Sequence, residues 1–138
     1  MPAAWAADAL LVVFRWLHGL AAVAFLGWAL VLFFSPSSSA GARFKEVTEL
    51  TLLVFLATGA VLSFDRLANG AGAVYAVVLA VKVGCSVAAY QFAFRWRRAG
   101  LGAFDGNGRL VLILGGAAVL LAVLLTEIFE YGLRGGQL

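Results

Sequence analysis

One cysteine, one histidine, one methionine and two prolines are all that 138 residues hold of those types, and each scarcity closes off a class of function. Cys85 alone excludes an intramolecular disulfide and a CxxC pair, and inside an apolar run it reads first as a small packing residue. Met1 is the only other sulfur and His18 the only imidazole. A single chain therefore lacks the soft multi-ligand ladder of copper conduction, and it lacks the second histidine of a bis-histidine haem. No glycine-rich phosphate loop, nucleophile–base pair or HExxH pattern occurs, so no catalytic residue is singled out. Charge is scarce as well: 12% of residues are Asp, Glu, Lys or Arg, against about 25% in ordinary soluble domains.

What is present is apolar surface. Hydrophobic residues make up 64% of the chain, and the mean hydropathy of +1.01 places it in a bilayer as one domain, residues 1–138. The stretch from Asp8 to Phe34 is longer than the ~18 apolar residues that mark a transmembrane span. Its N-terminal flank has no Lys or Arg, and the run exceeds the ~7–15 residues of a signal-peptide core, so a retained span is expected rather than a cleaved leader. Four spans can be drawn, about 9–34, 47–64, 73–94 and 110–131. SPSSSAGARFKE, DRLANGAG and RWRRAGLGAFDGNGR separate them, each carrying glycine with proline, serine or asparagine as breakers. The fold predicted is all-α: an integral membrane four-helix antiparallel bundle, with lipid as its first partner.

The net charge of +3 does not call for nucleic acid, because the basic residues concentrate in two loops. Arg43, Lys45, Arg95, Arg97, Arg98 and Arg109 lie in the first and third connections, whereas the second connection and the C-terminal end hold Arg66 and Arg134. By the positive-inside rule both termini are then on the outer side. Trp5, Trp16, Tyr75, Trp96 and Tyr131 fall near span ends, where amphipathic rings anchor at the interface; Trp28 lies deeper and is expected to pack.

Ionisable groups inside a span are function candidates because burying them is expensive. His18 stands roughly 15 Å along the first span and Lys82 roughly 15 Å along the third, at 1.5 Å per residue. Both spans run inward from the outer side, so the two side chains are expected at one depth, near the middle. Arg15 is one turn outward of His18. His18 is either an axial ligand to haem iron or a copper ligand, or else a ring hydrogen-bonded to a neighbouring helix. Lys82, with Cys85 at i+3, is either an internal ion-pair partner for Glu127 or Asp65, or a counter-charge for an anionic ligand group such as a porphyrin propionate, or part of a proton relay. Glu127 and Glu130 are expected to pair with Arg15 near the outer surface, or to attract a cation toward His18. Thr51, Thr58 and Asp65 share a face at seven-residue spacing and read as helix-packing glue.

These residues resemble a known family. RWLHGLAAVAFLGWALVLF is similar to the pattern opening the CopD copper-resistance membrane domain. LLVFLATGAVLSFDRL resembles that domain's Thr-Gly-bearing helix, and VYAVVLAVKVGCSVAAYQFAFRWRR its Tyr/Leu/Lys helix with a basic end. HemJ, linked to protoporphyrinogen oxidation, is similar in carrying a histidine in its first helix and a lysine in its third. The resemblance implies His18 as metal or haem ligand and Lys82 as its charged partner; the placement of the other ionisable groups adds Arg15 as electrostatic support and Glu127, Glu130, Asp65 and Cys85 as the surrounding polar cluster. The resemblance further implies copper or haem b as cofactor, for copper homeostasis or electron transfer, in a bacterial inner membrane with periplasmic termini. A second axial ligand would come from Lys82, Cys85, a glutamate, water or another copy of the chain, which makes a homodimer or a larger membrane complex the expected partner. The alternatives are a non-catalytic accessory subunit of such a complex and a HemJ-like oxidase.

Overall fold

The four apolar runs become four helices: α1 over Pro2–Phe34, α2 over Ser38–Ala68, α3 over Ala73–Arg98 and α4 over Gly106–Gly135. The computed structural model describes the backbone of residues 2–135 and the side chains of residues 3–131; Met1 and the Arg134 side chain lie outside that range. Each helix is longer than its apolar run. Even the 26 residues of α3 rise about 39 Å at 1.5 Å per residue, more than the ~30 Å hydrocarbon core.

The polar connections are short because the helices grow into them. Ser37 caps α2, its hydroxyl accepting from the Ala40 N–H at 3.1 Å, so most of SPSSSAGARFKE is already helical. At the end of α2, Gly70 takes φ +81° while the Ala71 N–H reaches back to the Arg66 carbonyl. Gly100 repeats this at the end of α3 with φ +91°, and the Leu101 N–H bonds the Trp96 carbonyl. Both are helix stops in which a left-handed glycine lets the chain satisfy its last carbonyls.

α1 packs on α2 and α3 on α4 along most of their lengths, whereas α1 meets α4 over a shorter stretch and α2 meets α3 over a shorter one still. The diagonal pairs, α1 with α3 and α2 with α4, have no backbone-level contact. The molecule is thus two antiparallel hairpins placed side by side. They are joined most tightly at the end holding the first and third connections, by a buried cluster that includes Leu32, Phe33, Phe44, Trp96, Leu101 and Val111. Phe44 stacks against Phe25 at 6.1 Å and meets Trp96 edge-on at 5.4 Å. Phe33 meets Phe104 at 5.1 Å, and the Phe104 N–H donates to the Phe33 carbonyl, tying the third connection to the end of α1.

No more than 28% of any span is buried inside the protein, and large apolar side chains such as Leu53, Phe64 and Leu120 are 66%, 73% and 73% exposed. A surface this apolar on every helix is one that hydrocarbon covers. All four helices are long and apolar enough to cross, and the protein is an integral membrane four-helix bundle. Two aromatic positions differ from the interface anchors expected of them. Tyr75 and Trp96 are buried, because Trp96 finds a partner for its indole N–H in the Gly102 carbonyl at 3.0 Å and so can leave the interface.

Candidate functional site

Interior threonines hold the hairpins in register and position the histidine. Thr48, Thr51 and Thr58 are the buried polar side chains of the described core. Each donates its hydroxyl hydrogen to the carbonyl four residues earlier, at 2.6 Å, 2.7 Å and 2.6 Å. That leaves their oxygens as acceptors toward other helices. Thr51 is 2.7 Å from the Tyr90 hydroxyl of α3, and Thr58 is 2.7 Å from His18 Nδ1 of α1. The threonine stripe thus acts as the glue expected of it, and one of its partners is the histidine itself.

The His18 ring is fixed on two further sides. The Phe55 ring meets it edge-on, with centroids 4.8 Å apart. Gly59 lies against another side, where an added Cβ would make an ordinary van der Waals contact with His18 Cε1 at 3.6 Å. Beyond Phe55 an aromatic series runs toward the opposite end of the bundle: Phe55 to Tyr90 at 6.0 Å, Tyr90 to Phe25 at 4.5 Å, then Phe44 and Trp96. His18 therefore stands half-buried at the edge of an apolar, aromatic interior.

Lys82 is half-buried on α3, and its charge lies within electrostatic reach of the His18 ring. The two expected partners stand on helices across a diagonal of the bundle, linked by electrostatics and not by a direct contact. Among the described residues the ion pairs are Arg43–Glu46 at 3.7 Å and Arg97–Glu49 at 2.9 Å, and neither involves Lys82. Its own backbone carbonyl accepts from Ser86 Oγ at 3.0 Å, and among the described residues no carboxylate oxygen lies within 4.0 Å of its ammonium.

The remaining polar residues gather nearer the chain termini. Arg66 of α2 lies 3.9 Å from the centroid of the Phe129 ring of α4, bridging a diagonal by side chains alone. Arg15, Asp65, Tyr75 and Glu130 are all within electrostatic reach of that guanidinium. Asp65 Oδ1 accepts from Asn69 Nδ2 at 3.1 Å. Glu127 is exposed, two residues past buried Leu125 and so about 200° round the helix from it. Cys85 is a free, half-buried thiol. The structure therefore joins His18 to Thr58 by a hydrogen bond, with Lys82 in electrostatic reach, and sets Arg15, Asp65 and Glu130 within electrostatic reach of Arg66. It sets Glu127 on an outward face.

Among the described residues no three His, Cys, Asp or Glu side chains converge as a metal cage. A shallow cavity of about 330 Å³ lies elsewhere, against Val23, Ala24, Gly27, Trp28 and Val31 of α1. Gly27 is nine residues from His18, which puts the two on opposite sides of the helix. What the site offers chemically is one oriented imidazole, one uncompensated cation and apolar walls. Comparison with protein-family models, with curated proteins and with solved structures finds no match, so the chain stands as an integral membrane four-helix bundle defined by its own architecture.

Proposed function

We propose that this bundle binds a redox metal centre between its hairpins, with His18 as protein ligand, and that the centre is a b-type haem rather than bare copper. The carrying observation is Lys82: an ammonium within reach of the His18 ring and without a carboxylate among the described residues. A buried cation left unpaired is costly and marks where an anion belongs. A porphyrin brings propionates to meet that charge and four nitrogens for the metal, so it asks the chain for a single imidazole. A copper ion would bring more positive charge beside Lys82 and would need further ligands, which the described residues do not gather.

In this reading His18 holds the iron, Lys82 pairs a propionate, and the aromatic interior around Phe55 keeps water from the ring. A haem so held supplies one-electron exchange. Arg15 adds positive potential from one turn nearer the termini. The lack of a second imidazole directs the other axial position to water, Cys85 or a second copy of the chain. The CopD- and HemJ-like sequence pattern around His18 and Lys82 supports the same pair, in a bacterial inner membrane with the site toward the periplasm.

Detergent-purified protein should show a Soret band that His18→Ala abolishes and Lys82→Met weakens. Stoichiometric copper without haem absorbance would replace haem with copper. Protein that carries neither, and takes up neither when reconstituted, would defeat the proposal. That last result would favour an accessory subunit whose polar cluster fixes helix register, a reading supported by the bond between His18 and Thr58 across α1 and α2.

A further inference from the structure

Thr58 stands in two hydrogen-bond contacts at once. Its oxygen is 2.6 Å from the Val54 carbonyl oxygen and 2.7 Å from His18 Nδ1, and the residue is 3% exposed. A hydroxyl carries one hydrogen and two lone pairs. Two oxygens at 2.6 Å with no hydrogen between them would repel, so the hydroxyl hydrogen must lie toward Val54. The hydrogen in the other contact then belongs to the imidazole. In a neutral ring one nitrogen carries the hydrogen and the other the lone pair, and the bond made by the first decides the role of the second.

From this we infer that Thr58 is the positioning residue of the site: it selects the Nδ1–H tautomer of His18 and so presents the Nε2 lone pair as the ligating atom. The helix supplies the constraint, because the Val54 carbonyl sits one turn below Thr58 on α2 and commits the hydroxyl before α1 arrives. Phe55 and Gly59, the neighbours of Thr58 in sequence, bound the ring on its other sides. Thr48 and Thr51 of α2 use the same device, but of the three threonines only Thr58 turns its freed acceptor to a potential ligand. A hydrogen-bond partner on the ring nitrogen away from the metal fixes ring orientation and raises ligand basicity in metal sites. The role in ligation rests on the haem reading above, whereas the tautomer is a property of the protein without any ligand.

The test exploits the chain's single histidine, since ¹⁵N-histidine labelling gives one imidazole. In ligand-free protein in detergent at neutral pH, long-range proton–nitrogen spectra should show a protonated Nδ1 and an unprotonated Nε2. Thr58→Val, which keeps the shape and removes the acceptor, should return the ring to the Nε2–H tautomer that free histidine favours, and Thr58→Ser should restore the Nδ1–H form. A protonated Nε2 in the neutral wild-type ring would overturn the inference, as would an unchanged tautomer in Thr58→Val. Should Thr58→Val fail to fold, the wild-type and Thr58→Ser spectra still decide it. Where haem binds, Thr58→Val should lower its affinity about 10–100-fold, the usual effect of losing such a partner. Absence of haem would remove the ligation reading and leave the tautomer result standing.

Discussion

Lys82 is the residue whose energetics most directly separate binding from scaffolding. A cation at the centre of a helix in a bilayer costs about 2.5–3.5 kcal/mol on insertion scales, and half-burial without a carboxylate retains part of that penalty. Lys82→Met should therefore stabilise the ligand-free protein by on the order of 1–3 kcal/mol while weakening the ligand, a stability-for-function exchange typical of binding sites. Unfolding of detergent-solubilised apo protein by sodium dodecyl sulfate measures the first half; a destabilised variant would mean that the ammonium serves the fold. Tyr90 provides the contrasting case. Its hydroxyl donates to Thr51 at 2.7 Å, and interhelical bonds of this kind average about 0.6 kcal/mol within membranes. Tyr90→Phe should cost about that much in the same titration and leave haem content unchanged, because the ring stays against Phe25 and Phe55. His18 and Lys82 were legible in the sequence because ionisable groups are rare in apolar runs. Thr58 was legible only as one of a stripe, since pairing it with His18 requires the rotation of α1 against α2, which no residue spacing within either helix reveals.

Helix–helix approach depends on where a side chain is missing. At Gly108 of α4 an added Cβ would lie 2.8 Å from Trp96 Cζ2 and 3.1 Å from Phe33 Cδ2, both in the buried cluster joining the hairpins. At Gly116, two turns on, it would meet nothing within 4 Å. Gly108→Ala should destabilise the bundle by about 1–3 kcal/mol, the usual range for overpacking. Gly116→Ala should be neutral or stabilising by up to about 1 kcal/mol, since alanine is the better helix former. Thermal unfolding of the two variants side by side checks the contrast, and equal effects would mean that the hairpins are not held together at Gly108. The existence of each helix was plain from the length of its apolar run. The ends were not, because capping by Ser37 and the glycine stops at Gly70 and Gly100 extend helices into segments whose composition reads as loop. Trp96 likewise reads as an interface anchor until the Gly102 carbonyl is seen beside its N–H.

For the molecule as a whole, an antiparallel bundle of four crossings follows from the hydropathy pattern, but its division into two hairpins does not. The strong pairs, α1 with α2 and α3 with α4, are joined by brief connections, and neighbours in sequence commonly pack as neighbours in space. What joins them is concentrated near the first and third connections, where aromatic side chains fill the interior, while His18 is held farther along, between α1 and α2. An aromatic end and an opposite end that carries His18, Arg15 and Arg66 give the bundle a direction, and the basic residues set that direction relative to the membrane. Arg43, Lys45, Arg95, Arg97, Arg98 and Arg109 flank the aromatic end, against Arg66 and Arg134 at the other. By the positive-inside rule the His18 end is predicted to face outward. In a Cys85→Ala background, a membrane-impermeant thiol reagent applied to intact cells should label Ala68→Cys, beside the exposed second turn, and spare Ser38→Cys at the start of α2. Permeabilised cells should expose both. The reverse pattern on intact cells would place the His18 end toward the cytoplasm and overturn the orientation drawn from the basic residues.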